Sequence, residues 1–141
     1  MHTILLPVVA LVAWTLVMWS WMYATRIPAI RAARMVLDGE APRGQQMATL
    51  PARVRWKADN YNHLHEQPQV FYAIAIVAYL IDRGDGVNLG LAWAYVGLRV
   101  VHSLWQALVN VILVRFTLFV ASSLVLLALT IRVAYALSAH P

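Results

Sequence analysis

Between Ile4 and Thr25 the chain carries no charged side chain, and from Phe116 to Ile131 sixteen further residues carry none. Runs of this kind constrain the fold more than any other feature, because roughly 20 helical residues cross the hydrocarbon core of a bilayer. A soluble domain holds about 45–50% apolar and about 25% charged residues. Here 62% of the 141 residues are hydrophobic and 12% are charged, with a mean hydropathy of +0.66. That leaves too little polar surface to coat a soluble globule, and it excludes an ordinary cytosolic domain, a disordered chain and a repeat solenoid. The absence of cysteine excludes a disulfide framework, a cysteine-ligated metal centre and a cysteine nucleophile. The net charge of +5 would point to nucleic acid in a soluble protein. On this apolar background it reports topology and anion binding, and no nucleic-acid partner is expected.

The pattern predicts one all-α membrane domain over residues 1–141, with four transmembrane helices near 3–25, 53–81, 87–112 and 114–137. The first run is read as a retained span rather than a signal peptide, since no Lys or Arg precedes it and no small-x-small site follows. Trp14, Trp19, Trp21 and Tyr23 crowd its second half, as aromatics do near a membrane interface. Residues 26–52 read as a polar loop with turn chemistry at Asp38-Gly39-Glu40 and Pro42-Arg43-Gly44. Residues 26–57 carry seven cations against Asp38 and Glu40, whereas the turn from Asp82 to Asp85 carries a net −1. The positive-inside rule therefore puts the first loop in the cytoplasm and both termini outside it.

A plain anchor has no use for the polar groups within these helices. Each ionisable side chain at membrane depth costs about 2.5–3.5 kcal/mol on insertion scales and so lines a cavity or faces protein. Arg55, Asp59, Asn62 and Glu66 follow helical spacing and predict one polar face on the second helix. Tyr95, Arg99, His102, Gln106 and Asn110 predict another on the third, with Arg115 just beyond it. Two readings are open. The groups satisfy one another across helix contacts, Arg99 with Glu66 for example, or they line a polar cleft. Counting favours the cleft: Arg55, Lys57, Arg99 and Arg115 face only Asp59 and Glu66, which suits an anionic ligand bearing an ammonium group. No metal site is expected, since His63 and His65 at spacing two do not share a helical face. There is no Ser-His-Asp pattern and no phosphate-binding glycine loop.

The stretch Arg53-x-Arg55-x-Lys57-Ala58-Asp59-Asn60-x-Asn62, leading into Glu66-Gln67-Pro68 and Phe71-Tyr72-Ala73, resembles the membrane-associated proteins in eicosanoid and glutathione metabolism, the MAPEG family. Gly97-Leu98-Arg99-Val100-Val101-His102, and Arg115 sixteen residues after Arg99, reinforce the resemblance. It implies a four-transmembrane-helix bundle assembled as a homotrimer in a membrane, the bacterial inner membrane for this bacterial-type branch. It also implies glutathione as thiol co-substrate and a lipophilic small-molecule electrophile entering from the membrane lipids. Arg55, Asn62, Glu66, Arg99, His102 and Gln106 match cofactor-binding positions, and Arg115 matches the arginine that stabilises the thiolate. The implied activity is a glutathione transferase or peroxidase; a non-catalytic lipid-binding or scaffold protein of the same fold is the alternative. Better-known members carry Asn-x-x-Glu with a proline three residues after the Glu. Here the order is Asn62-x-x-x-Glu66, with Pro68 two after.

Overall fold

The computed structural model describes residues 3–139. Among these residues the regular structure is helical throughout: α1 (Leu5–Ala32), α2 (Gln45–Ala48), α3 (Ala52–His63), α4 (Gln67–Leu80), α5 (Gly86–Leu108) and α6 (Ile112–Ser138). α1 and α6 are long and apolar enough to cross a membrane. Both are apolar around most of their circumference: Val9 and Leu16 on α1 and Leu124, Leu127 and Ile131 on α6 face outward, while Leu11, Met18, Leu129 and Val133 are buried. A helix of this kind faces lipid on one side and protein on the other. α1 packs on α3, α4 and α5, and α6 lies along α5 and against α4.

The single helix expected over 53–81 is two helices, and the cause is Pro68. In a continuous helix its missing N–H would leave the carbonyl of Leu64 without a donor, and its ring would press on that carbonyl. The chain breaks at Leu64–Glu66, and Pro68 sits instead in the first turn of α4, where no donor is required. Glu66 is therefore not on the helical face of Arg55, Asp59 and Asn62; it occupies the break, with φ −94° and ψ −96°. α1 runs on past Thr25 to Ala32, carrying Arg26 and Arg31 in helical geometry, so the polar loop is shorter than expected. It also contains the one-turn helix α2. α5 stops at Leu108, earlier than expected, because Asn110 turns into the left-handed region at φ 58°. Asn110 thus lies in the turn to α6 and not on the polar face of α5, while its amide donates to Trp105 O at 2.8 Å.

The core follows helical spacing on every element. Phe71, Ala75 and Ala78 of α4 meet Ala92, Tyr95 and Val96 of α5 and Leu126, Leu129 and Val133 of α6. The alanines let the backbones approach closely, as in membrane helix pairs, and Phe71 stacks on Tyr95 at 4.6 Å between ring centroids. A polar chain ties the same three helices: Tyr95 OH donates to Gln67 Oε1 at 3.3 Å, and Gln67 Nε2 donates to Ser123 Oγ at 2.7 Å. The buried residues of α3 are Lys57, Ala58 and Asn60, with Leu64 buried just past its end. Lys57 Nζ donates to Arg53 O at 2.7 Å and Ala107 O at 3.3 Å, and lies 5.1 Å above the Trp21 ring. Asn60 Nδ2 donates to Ser103 Oγ at 2.6 Å, fully buried between α3 and α5. In a double-mutant cycle of Asn60→Ala and Ser103→Ala, reversible unfolding in mixed micelles should give a coupling of about 1 kcal/mol, the size of an interhelical hydrogen bond. Additivity within a few tenths would show that the contact contributes nothing to stability.

Candidate functional site

The break between α3 and α4 leaves the last carbonyls of α3 without helical donors. The carbonyl of His63 finds one on another helix: Arg99 Nη2 donates to it at 3.1 Å. Arg99 is 1% exposed, the largest fully buried side chain of the described residues. A cation at a helix C-terminus is also favoured by the helix dipole. Its Nε and Nη1 are buried without partners. The direct Arg99–Glu66 pair considered from the sequence does not form; Glu66 Oε2 pairs with His63 Nδ1 at 2.7 Å.

Next to this junction lies a cavity of about 330 Å³ lined by His63, His102, Ile112, Arg115, Phe116 and Phe119. α3 contributes His63 at its last position, α5 contributes His102, and the first two turns of α6 contribute the rest. The His63 ring is 5.1 Å from that of His102 and 5.5 Å from that of Phe119, with the Arg99 guanidinium 6.0 Å from the Phe119 ring. Arg115 is held from one side, Nη1 donating to Asn110 Oδ1 at 2.7 Å, while its Nε is buried without a partner. The left-handed turn at Asn110 therefore does two jobs, ending α5 and orienting Arg115. A guanidinium fixed in this way, with imidazole, phenyl and aliphatic side chains around it, can pair with an anion.

The predicted residues do not all converge here. Tyr95, Arg99, His102 and Gln106 share the buried face of α5, as their spacing required, and Gln106 Oε1 is buried without a partner. Arg55, Asp59 and Asn62 are exposed on the other side of α3 and line a separate cavity of about 230 Å³ with Arg26 and Gly44. Glu66 is exposed in the break. Within one protomer the two polar stripes thus point apart. Sequence reasoning passed over His63 and Phe119, though both carried a signal: His63 stands three residues before Glu66, and Phe119 one turn after Arg115 on the same face of α6.

The MAPEG family model matches residues 4–135. The chain belongs to the MAPEG family. No curated protein and no solved structure matches it. Membership, with two helices of membrane-crossing length and composition, makes this a membrane protein of a family that includes glutathione transferase and peroxidase types. In this MAPEG protein the Arg99 tie should govern the junction. Arg99→Met should speed hydrogen exchange of the Leu64–Glu66 amides by about tenfold, the effect of losing a charge-assisted hydrogen bond. The amides of Asn88–Leu91 at the far end of α5 should be unaffected. Equal acceleration at both ends would mean that Arg99 holds the whole fold and not the junction.

Proposed function

We propose that the protein is a four-span, homotrimeric membrane enzyme that binds glutathione and conjugates or reduces lipophilic electrophiles, with Arg115 stabilising the thiolate. The observation that carries this reading is the half-satisfied Arg115 guanidinium lining a cavity whose other walls are His63, His102, Ile112, Phe116 and Phe119. A thiol has an unperturbed pKa near ~8.5, and the nucleophile is its thiolate. A guanidinium ~4 Å from the sulfur, in an effective dielectric of ~20, attracts the anion by about 4 kcal/mol before desolvation. Half of that lowers the thiol pKa by between about one and two, enough to ionise most of it at neutral pH. Arg115 suits the task because it keeps its charge, and the sulfur would come from the co-substrate, which accords with a chain that has no cysteine.

The remaining cofactor positions favour a site shared between copies. Arg55, Asn62 and Glu66 face outward, and Arg99, His102 and Gln106 face inward, so one chain offers two partial sets of contacts. A neighbouring copy would bring one set to the other, and a homotrimer would hold three such sites. Glutathione suits both sets, with its carboxylates for the arginines. The basic segment 26–57 supports a cytoplasmic position for the loop, with both termini outside.

Arg115→Ala should leave the assembly intact and cut transferase turnover by roughly tenfold or more, with a smaller loss of glutathione affinity. Arg115→Lys should keep part of the activity, since a point charge still favours the anion. The ultraviolet thiolate band of bound glutathione should vanish in the alanine variant. A retained band and retained turnover would reduce Arg115 to a structural group of the α5–α6 turn, whereas a wild type that neither binds glutathione nor turns over would favour a non-catalytic lipid-binding role.

Two assembly tests stand beside this one. Native mass spectrometry in mild detergents should show the trimer, and a monomer throughout would remove the shared site. Arg43→Cys should be labelled by a membrane-impermeant thiol reagent only from the cytoplasmic side; labelling from outside would invert the topology.

A further inference from the structure

The residue three positions before Glu66 is a histidine, held at both its backbone and its ring. Its backbone carbonyl accepts from Arg99 Nη2 at 3.1 Å, its ring lies beside His102 and Phe119, and its Nδ1 is 2.7 Å from Glu66 Oε2. An ionised carboxylate only accepts, so Nδ1 carries a proton, and in the neutral ring Nε2 then keeps the lone pair. The same ring lines the cavity into which Arg115 is set. A histidine oriented by a carboxylate, across a cavity from an anion-stabilising arginine, has the arrangement of a general base beside its product anion.

We infer that the His63–Glu66 pair is the proton acceptor for the thiol bound at Arg115. This rests on the thiol-binding reading above and extends it to a residue outside the set of expected ligand contacts. The S–H bond breaks, its electron pair stays on sulfur facing Arg115, and the proton passes to Nε2 of His63. The imidazolium is then held by Glu66. When the thiolate attacks an electrophilic carbon, the new C–S bond forms as the leaving group departs with its electron pair. His63 returns the proton to that group, so the site ends as it began.

The charged and titratable neighbours explain why both partners are needed. Facing the ring are Glu66 from the break, Arg99 and His102 from α5, and Arg115 from α6. Burial of the ring first, and then the two arginines, oppose a cation on His63 while the cavity holds no anion, and a thiolate against Arg115 offsets the repulsion from the arginines. Proton acceptance is thereby tied to thiol binding, and Glu66 is a positioning residue that also favours the imidazolium.

The test uses the full-length protein in detergent with glutathione as probe, measured by calorimetry in two buffers of different ionisation enthalpy. Wild type should release few protons to the buffer on binding, because His63 takes them up. His63→Gln should release close to one more proton per bound thiolate. S-Methylglutathione, which has no thiol proton to give, should release the same number from both proteins. In turnover assays His63→Gln should be slowed about tenfold below neutrality, with the gap closing to about threefold or less at alkaline pH, where hydroxide removes the proton. Glu66→Gln, which keeps a hydrogen-bond acceptor beside Nδ1, should shift the acid limb of the wild-type profile by about one pH unit. Equal proton release by wild type and His63→Gln, or a loss of turnover that is the same at every pH, overturns the proton-acceptor role while leaving thiol binding in place. Failure of wild type to bind glutathione overturns both readings together.

Discussion

Pro68 forbids a continuous second helix, and much of the site depends on how the molecule absorbs that interruption. In water the freed carbonyls at the end of α3 would be solvated; inside a bundle they need a protein donor. Amides of the break and the His65 ring meet Asn60, Tyr61 and Asn62 O, and Arg99, drawn from α5 and buried to 1% exposure, joins the Glu66 amide at His63 O. Placing a guanidinium there makes the neighbouring turns of α5 polar as well, and His102 and Gln106 lie on the same buried face. The break also frees Glu66 from helical geometry, so its carboxylate can reach back to the His63 ring. One missing N–H thus sets the polar composition of three elements.

The sequence showed the lipid-facing elements and the buried face of α5 clearly, and for the same reason: both are periodic. Tyr95, Arg99, His102 and Gln106 repeat at helical spacing among apolar neighbours, which identifies a face and its contents. α3 resisted the same reading because it is polar on two sides. Arg55, Asp59 and Asn62 form one stripe, Lys57 and Asn60 another, and periodicity does not say which side is turned inward. The inward side proved to be Lys57 and Asn60, tied to Ala107 and Ser103 by hydrogen bonds that no pattern announces. Likewise the spacing that put Asn110 on the α5 face could not register that its backbone turns left-handed one residue past the helix cap. Helical spacing across residues 55–66 masked the break, since Pro68 is tolerated in the first turn of a helix and so does not itself mark where the preceding helix stops.

His63 shows a different limit. The match to the family pattern was anchored on Asn62, the same residue type as the asparagine of Asn-x-x-Glu, and this left the spacing to Glu66 one residue too long. The contact that forms is between residues three positions apart: the side chains of His63 and Glu66 meet at 2.7 Å. A residue type alone does not reveal such a pairing, and an imidazole, unlike an amide, can take up and give a proton near neutral pH.

The distribution of satisfied and unsatisfied polar groups separates the two ends of the helices. Towards the α4–α5 turn, Asn88 donates to Arg83 O at 2.8 Å and accepts from Arg132 Nε at 2.8 Å. Towards the α5–α6 turn, buried atoms of Asn60, Arg99, Trp105, Gln106 and Arg115 lack partners among the described residues. Each such group costs about 1–3 kcal/mol when buried unpaired, and more when charged. A fold that completes its hydrogen bonds at one end is under no packing obligation to leave them open at the other. Water, a neighbouring copy or a ligand can meet such groups, and the cationic ones among them, Arg99 and Arg115, favour acceptors that carry negative charge. A thiolate flanked by carboxylates is such a partner, and a lipid acyl chain is not. The pattern of missing hydrogen bonds therefore argues for a polar anionic ligand at this end of the molecule and leaves the outward apolar faces of α1 and α6 to the bilayer.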